Sequence, residues 1–282
     1  MKKTAWVTDS TAYLDEELRN HPDLYTIPLS VILDGHEYAD GIDLTAEELY
    51  AKLKELKTPP KTSQPSVGAF QQLYEKLAED YDQVISVLLS SKLSGTVSSS
   101  EQAAQLVSIP VTTIDSKVLA FPLSALLKKG IALERAGKDV EEIREELERQ
   151  RGENETYVLI GSLEQLHRSG RMGGLQFFLG SMLSITPIVS IENGGLETKE
   201  KVRNTKKAKE KIEGYMKASY EKYGFKEVYL LYGLHEEAAL AWQKELEPKF
   251  PSLTFRRCPL GATIGVHAGE NTLGISWYHK ID

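Results

Sequence analysis

The sequence predicts an α/β protein of two domains, the N-terminal one built on a mostly parallel sheet and the C-terminal one on a mixed sheet, with a ligand at their junction. Three observations carry this prediction. Short apolar runs alternate with amphipathic stretches from end to end, which is the pattern of strands separated by helices. The chain has 282 residues, of which 41% are hydrophobic, enough for two packed cores. Two hydroxyl-rich turns, Lys61-Thr62-Ser63-Gln64-Pro65-Ser66 and Ser90-Ser91-Lys92-Leu93-Ser94-Gly95-Thr96, each sit at the entrance to a helical stretch.

Taken in order, residues 5–10 form a short strand ending in polar residues. Residues 24–33 form a second strand that turns at Asp34-Gly35, a strong hairpin signal. Helical periodicity covers 45–56 and 65–80, and 83–89 is a buried strand. The strand 111–115 leads into helices through Leu126 and over 140–150. The charged run 139–155 interrupts the apolar signal, so the domains are taken as 1–152 and 153–282. Beyond it lie a strand from Tyr157, a helix near Leu163, an apolar helix over 174–183 and the strand 186–191. Asn193-Gly194-Gly195 turns that strand back on 196–202. A long charged helix from Asn204, strands at 227–232, near Phe255 and at 272–278, and a helix from Glu236 complete the chain.

Charge excludes some partners. A net charge of −7 is opposite to the basic footprint of a nucleic-acid binder. The single cysteine, Cys258, allows no internal disulfide, and the N-terminus leads into a strand pattern without the apolar core of a signal peptide, so the expected location is cytoplasmic. The longest apolar stretch, 175–191, is broken by Gly180, Ser184 and Pro187 and is not expected to span a bilayer. No glycine-rich phosphate loop is present, and His235-Glu236-Glu237 lacks the second histidine of a helical zinc site.

The turn at 90–96 is the most informative stretch. An apolar strand empties through hydroxyls into a helix, so free N–H groups of the helix start and side-chain hydroxyls converge on a volume suited to an oxyanion. Taken singly, Thr62 and Ser63 read more simply as helix caps, and Asp9 and Asp115 as caps of the turns that follow their strands. The rival chemistry is a serine hydrolase acting on acyl esters with Ser94, His267 and Asp9 or Asp115. The turn at Ser94 lacks the Gly-x-Ser-x-Gly elbow of that class.

Several phrases, in order, carry a resemblance: Thr8-Asp9-Ser10-Thr11, Thr62-Ser63-Gln64-Pro65, Leu93-Ser94-Gly95-Thr96, Asp115-Ser116, Ser169-Gly170-Arg171 and Gly265-Val266-His267. Over essentially its whole length the chain resembles the DegV family, which includes the fatty-acid-binding subunits of the bacterial fatty acid kinase. The resemblance implies a non-enzymatic lipid carrier without a cofactor, binding a long-chain fatty acid for phospholipid synthesis. It implies that Thr62 and Ser94 hold the carboxyl group with His267 near it, and the Gly95 N–H can donate there because no Cβ blocks close approach. It implies that Arg171 and Arg203 meet a separate ATP-dependent kinase that phosphorylates the bound acid. Transient membrane contact is compatible with such a role. The family turn after the histidine is commonly Gly-Pro-Gly, whereas here it reads Gly269-Glu270-Asn271-Thr272. The apolar segment 175–185 is the expected wall of the tail pocket, through Phe177, Phe178, Met182 and Ile185.

Overall fold

A computed structural model describes residues 2–53, 55–173, 175 and 185–281. Along the chain run β1 (Thr4–Asp9), α1 (Glu16–Arg19), β2 (Leu24–Ile27), β3 (Ser30–Leu33), β4 (His36–Ala39), α2 (Ala46–Leu53) and β5 (Lys61–Ser63). Next come α3 (Val67–Leu77), β6 (Gln83–Leu88), α4 (Thr96–Ala104), β7 (Val111–Asp115), α5 (Ala120–Arg135) and α6 (Val140–Gln150). After a 3-10 turn at Arg151–Glu153 follow β8 (Asn154–Leu159), α7 (Leu163–Arg168), β9 (Thr186–Glu192), β10 (Gly195–Val202) and α8 (Thr205–Tyr223). The chain closes with β11 (Glu227–Tyr232), α9 (Glu236–Leu246), β12 (Thr254–Pro259), α10 (Ala262–Ala268) and β13 (Leu273–Tyr278).

The first sheet has the order β2-β1-β6-β7 and every pairing is parallel. Its central strands β1 and β6 are buried on both faces, as their apolar runs require. One face packs Ala5, Val7, Val84 and Leu88 against Phe70 and Tyr74 of α3 and Val97 and Ala103 of α4. The other packs Trp6, Ile85 and Ile114 against Leu123, Leu127 and Ile131 of α5. Gly130 is needed there, because a Cβ at this position would lie 2.5 Å from the Trp6 ring.

The second sheet is mixed, in the order β10-β9-β8-β13-β11-β12, with β11 and β12 parallel and the other pairings antiparallel. Its outer face is covered by α8 and α9 through Ile212, Met216 and Trp242. Its inner face meets α5. The Phe121 and Tyr229 rings stack at 3.5 Å, and the Tyr278 hydroxyl donates to the Pro122 carbonyl at 2.9 Å. Thus α5 lies between the two sheets and one core cluster spans them.

A third, small sheet, β4-β3-β5, departs from the expected single strand over 24–33. β2 pairs with β1, whereas β3 pairs with β4 and β5. Pro28 lies at the break, where it offers no ladder N–H and restricts its predecessor. The expected hairpin at Asp34-Gly35 joins β3 to β4, with φ of 47° and 86°, and Asn193-Gly194 joins β9 to β10 with φ of 49° and 86°.

One local expectation is corrected and one element is added. Thr62 and Ser63 lie in β5, and the cap of α3 is Ser66, whose hydroxyl accepts from the Ala69 N–H at 3.1 Å. The small-residue segment 261–269 contains the helix α10, whose seven residues are too short to show a clear period. Among the described residues no helix is long and apolar enough to cross a membrane.

Candidate functional site

Where the two sheets face each other, the ends of the first sheet, the small sheet, α7 and α10 enclose a cavity with about 920 Å³ of atom-free space, part of it open to solvent. Its walls are aliphatic: Leu29 and Leu89 from the first half of the chain, and Val158, Ile160, Leu196 and Ile264 from the second. Among the described lining residues Arg171 is the one charged side chain, and no Asp or Glu lines the cavity.

Thr11, Thr156, Thr263 and Thr272 line the cavity as well, but the remaining polar lining, Thr62, Gln64, Ser94, Arg171 and His267, forms a connected group. Thr62, carried on β5 opposite Val31, places Oγ1 2.8 Å from Nε2 of His267 on α10. The Arg171 guanidinium adjoins that histidine and donates to the Leu93 carbonyl at 3.4 Å and to the Ser169 carbonyl at 2.6 Å. Ser94 follows Leu93, and its hydroxyl shares a hydrogen bond of 2.9 Å with the Thr96 hydroxyl. Gly95 is the N-cap position of α4 and supplies no capping side chain, so the first N–H groups of that helix are not satisfied by a cap. The glycine has a steric reason the sequence did not reveal. A Cβ at Gly95 would lie 2.8 Å from the Gln64 amide nitrogen, so Gly95 makes room for the Gln64 side chain at the start of α4. Gln64 also lines the cavity and was not singled out from the sequence.

Electrostatics suit an incoming anion. Burial drives the His267 imidazole down to about 4 from its usual 6.5, and the Arg171 cation pushes the same way. The ring is therefore neutral at pH 7. Its Nδ1 is buried without a hydrogen-bond partner among the described residues, so no carboxylate backs it. Thr62, Ser94, a neutral imidazole, a helix start and one guanidinium form a donor set for a carboxylate.

The hydrolase arrangement is not assembled. His267 bonds Thr62 and not Ser94. The Asp9 carboxylate is buried at the end of β1, where it accepts from the Thr11 N–H at 2.9 Å, the Thr11 hydroxyl at 2.6 Å and the Leu89 N–H at 2.7 Å. Asp115 accepts from the Ser91 hydroxyl at 2.6 Å and the Lys117 N–H at 2.9 Å. Both are turn-fixing residues, as their positions at strand ends suggested.

Arg171 faces two ways. With Thr62 and His267 it also borders an outer cleft lined by Lys57, Lys61 and Arg168. Arg203 is exposed beyond the end of β10, outside the cavity lining. Of the expected tail contacts, Phe177, Phe178 and Met182 lie outside the described residues. Ile185 is exposed ahead of β9 and does not line the cavity. Glu270 keeps its side chain out of the cavity lining, while its carbonyl accepts from the Leu234 N–H at 2.9 Å. No group of His, Cys, Asp or Glu among the described residues could hold a metal.

Comparison with known proteins agrees with this architecture. The family model described as "Uncharacterised protein, DegV family" matches residues 3–280. A DegV domain-containing protein of Listeria innocua is 36% identical over 281 residues, covering 99% of each chain. Among solved structures, a fatty-acid-binding DegV family protein from Thermus thermophilus superimposes with a TM-score of 0.90 at 34% identity, over 98% of this chain and 99% of its own. DegV of Bacillus subtilis, a fatty acid binding protein, does so with a TM-score of 0.90 at 35% identity, over 99% of this chain and 100% of its own. With a family model that matches residues 3–280, a relative 36% identical from end to end and solved relatives of the same fold, the chain belongs to the DegV family.

Proposed function

We propose that this protein binds a long-chain fatty acid, with the tail along the aliphatic cavity and the carboxylate among Thr62, Ser94, the Gly95 N–H and His267. The observation that carries the reading is the make-up of the cavity: a mostly aliphatic lining joined to a connected polar group of Thr62, His267, Arg171 and Ser94, with Arg171 as its one described charge. Such a cavity fits an amphiphile with a single anionic head. Burying about fourteen methylenes at ~0.8 kcal/mol each contributes roughly 11 kcal/mol before association costs. A bare carboxylate would be costly in the same place, and charge-assisted hydrogen bonds from the hydroxyls and backbone offset that cost. The solved fatty-acid-binding relatives share this fold and support the reading.

In this reading the protein is a carrier with no chemistry of its own. It presents the carboxylate at the outer cleft to a separate ATP-dependent kinase for acyl phosphate formation, with Arg171 and Arg203 on the surface that the kinase meets. The absence of acidic residues from the described lining of that cleft, between Lys57, Lys61 and Arg168, suits an anionic partner group.

Native mass spectrometry of protein purified without added lipid tests the binding. A discrete mass increment equal to a fatty acid, lost on delipidation and restored by palmitate, is the expected result. Protein that carries no lipid and takes up no palmitate would refute it.

A further inference from the structure

The two side chains that meet at 2.8 Å in the polar group of the cavity lining come from elements far apart in the chain, Thr62 on β5 and His267 on α10. What holds α10 in register with the small sheet is therefore decisive. Apolar packing supplies part of the answer, with Ala262 and Val266 buried against Val31, Leu33, Leu44 and Leu49. Such contacts are non-directional and do not by themselves fix the helix along its own axis.

A directional contact is present at the other end of α10. The residue that begins the helix, Gly261, has extended backbone angles suited to an N-cap but no side chain to cap with. The carboxylate of Asp40, which follows β4, occupies that place instead. A Cβ built on Gly261 would lie 3.7 Å from its Oδ2 and 3.8 Å from its Oδ1, so the carboxylate sits at the helix start, where the backbone of Ala262 and Thr263 favours its charged form against burial. The same carboxylate accepts from the Ser10 hydroxyl at 3.0 Å. That hydroxyl in turn accepts from the Leu29 N–H at 3.0 Å, and the Asp40 N–H donates to the Leu29 carbonyl at 2.9 Å. Asp40 thus joins the end of β1, the start of β3, the end of β4 and the first turn of α10.

We propose that Asp40 is a positioning residue that caps α10 from the small sheet and thereby holds His267 against Thr62. The hydrogen bond between those two tolerates only a few tenths of an ångström of axial slip before it is lost. Asp40 lies outside the cavity lining and acts through the helix it caps. The consequence for ligand affinity rests on the fatty-acid reading above; the effect on His267 does not.

The test separates the two. Histidine ring resonances of ligand-free protein are followed by NMR through the acid range for the wild type, Asp40→Ala, Asp40→Asn and the double variant Asp40→Ala with Gly261→Ser, which gives α10 a cap of its own. Palmitate affinity is measured on the same samples by calorimetry. Asp40→Ala is expected to let His267 titrate well above about 4, towards the ordinary 6.5, and to weaken palmitate binding about tenfold. Asp40→Asn keeps an acceptor, and it and the double variant should return both readouts to within about twofold of the wild type. A wild-type His267 titration in Asp40→Ala overturns the proposal, as does a double variant that behaves like Asp40→Ala. If Asp40→Ala fails to fold, recovery of folding in the double variant supports the cap, and equal failure overturns it. His267 responding as expected in a protein that binds no palmitate would leave the positioning role standing and refute the fatty-acid reading.

Discussion

Replacing His267 by Gln removes a titration whose size follows from the structure. Burial, with the Arg171 charge beside it, holds the imidazole down to about 4 in the folded protein, against 6.5 when free. The unfolded chain therefore takes up a proton on His267 as the pH falls below 6.5, while the folded protein resists until about 4. The stability that neutral His267 confers is complete above 6.5 and lost as the pH falls through that window, a total of about 3 kcal/mol at ~1.4 kcal/mol per pKa unit. Between pH 7 and pH 5 roughly 2 kcal/mol of it disappears. The buried carboxyls of Asp9 and Asp40 act in the opposite sense, since burial raises both and the folded state then binds protons more readily. They are present in both proteins and cancel in the comparison. Urea unfolding of the wild type and His267→Gln at the two pH values reads the difference. The wild type is expected to lose about 2 kcal/mol more than the variant on acidification. Equal losses would show that His267 is solvated and titrates normally, and would refute the buried, neutral imidazole on which the carboxylate site depends.

Four further outcomes are expected. Thr62→Val and Ser94→Ala should each weaken palmitate binding about tenfold with unchanged circular dichroism, as loss of a charge-assisted hydrogen bond predicts, and calorimetry checks this. Arg171→Glu should also weaken palmitate binding by about tenfold, because Arg171 lines the cavity, whereas exposed Arg203→Glu should stay within about twofold in the same titration. Ser94 should escape labelling by a fluorophosphonate probe, since His267 is bonded to Thr62, and mass mapping of the treated protein checks it. Gly130→Ala should destabilise the protein by about 2 kcal/mol in urea titrations, because its Cβ would meet the buried Trp6 ring 2.5 Å away.

Much of the fold is legible in the chain because it rests on local signals. The apolar runs of β1, β6, β7 and β11, the capping box that starts α6 at Asp139, and the positive-φ turns at Asp34-Gly35 and Asn193-Gly194 are written in neighbouring residues. Where Pro28 redirects β3 out of the first sheet, the signal was present but its outcome depended on which partner strand lay nearby. The helix α10 was missed because its cap, Asp40, lies more than two hundred residues before it in the chain.

The sequence by itself determined the class, the order of the elements and the chemical types at the site, since hydrophobic period, turn residues and hydroxyl-rich strand ends act over a few residues. Only the tertiary structure decided that Thr62 pairs with His267, that Gly95 makes room for Gln64 and that Arg171 reaches the cavity. These relations join residues carried by different elements of the fold. They are set by how α5 and α10 pack between the sheets, and that packing follows from the fit of the whole core, which no short window of sequence contains.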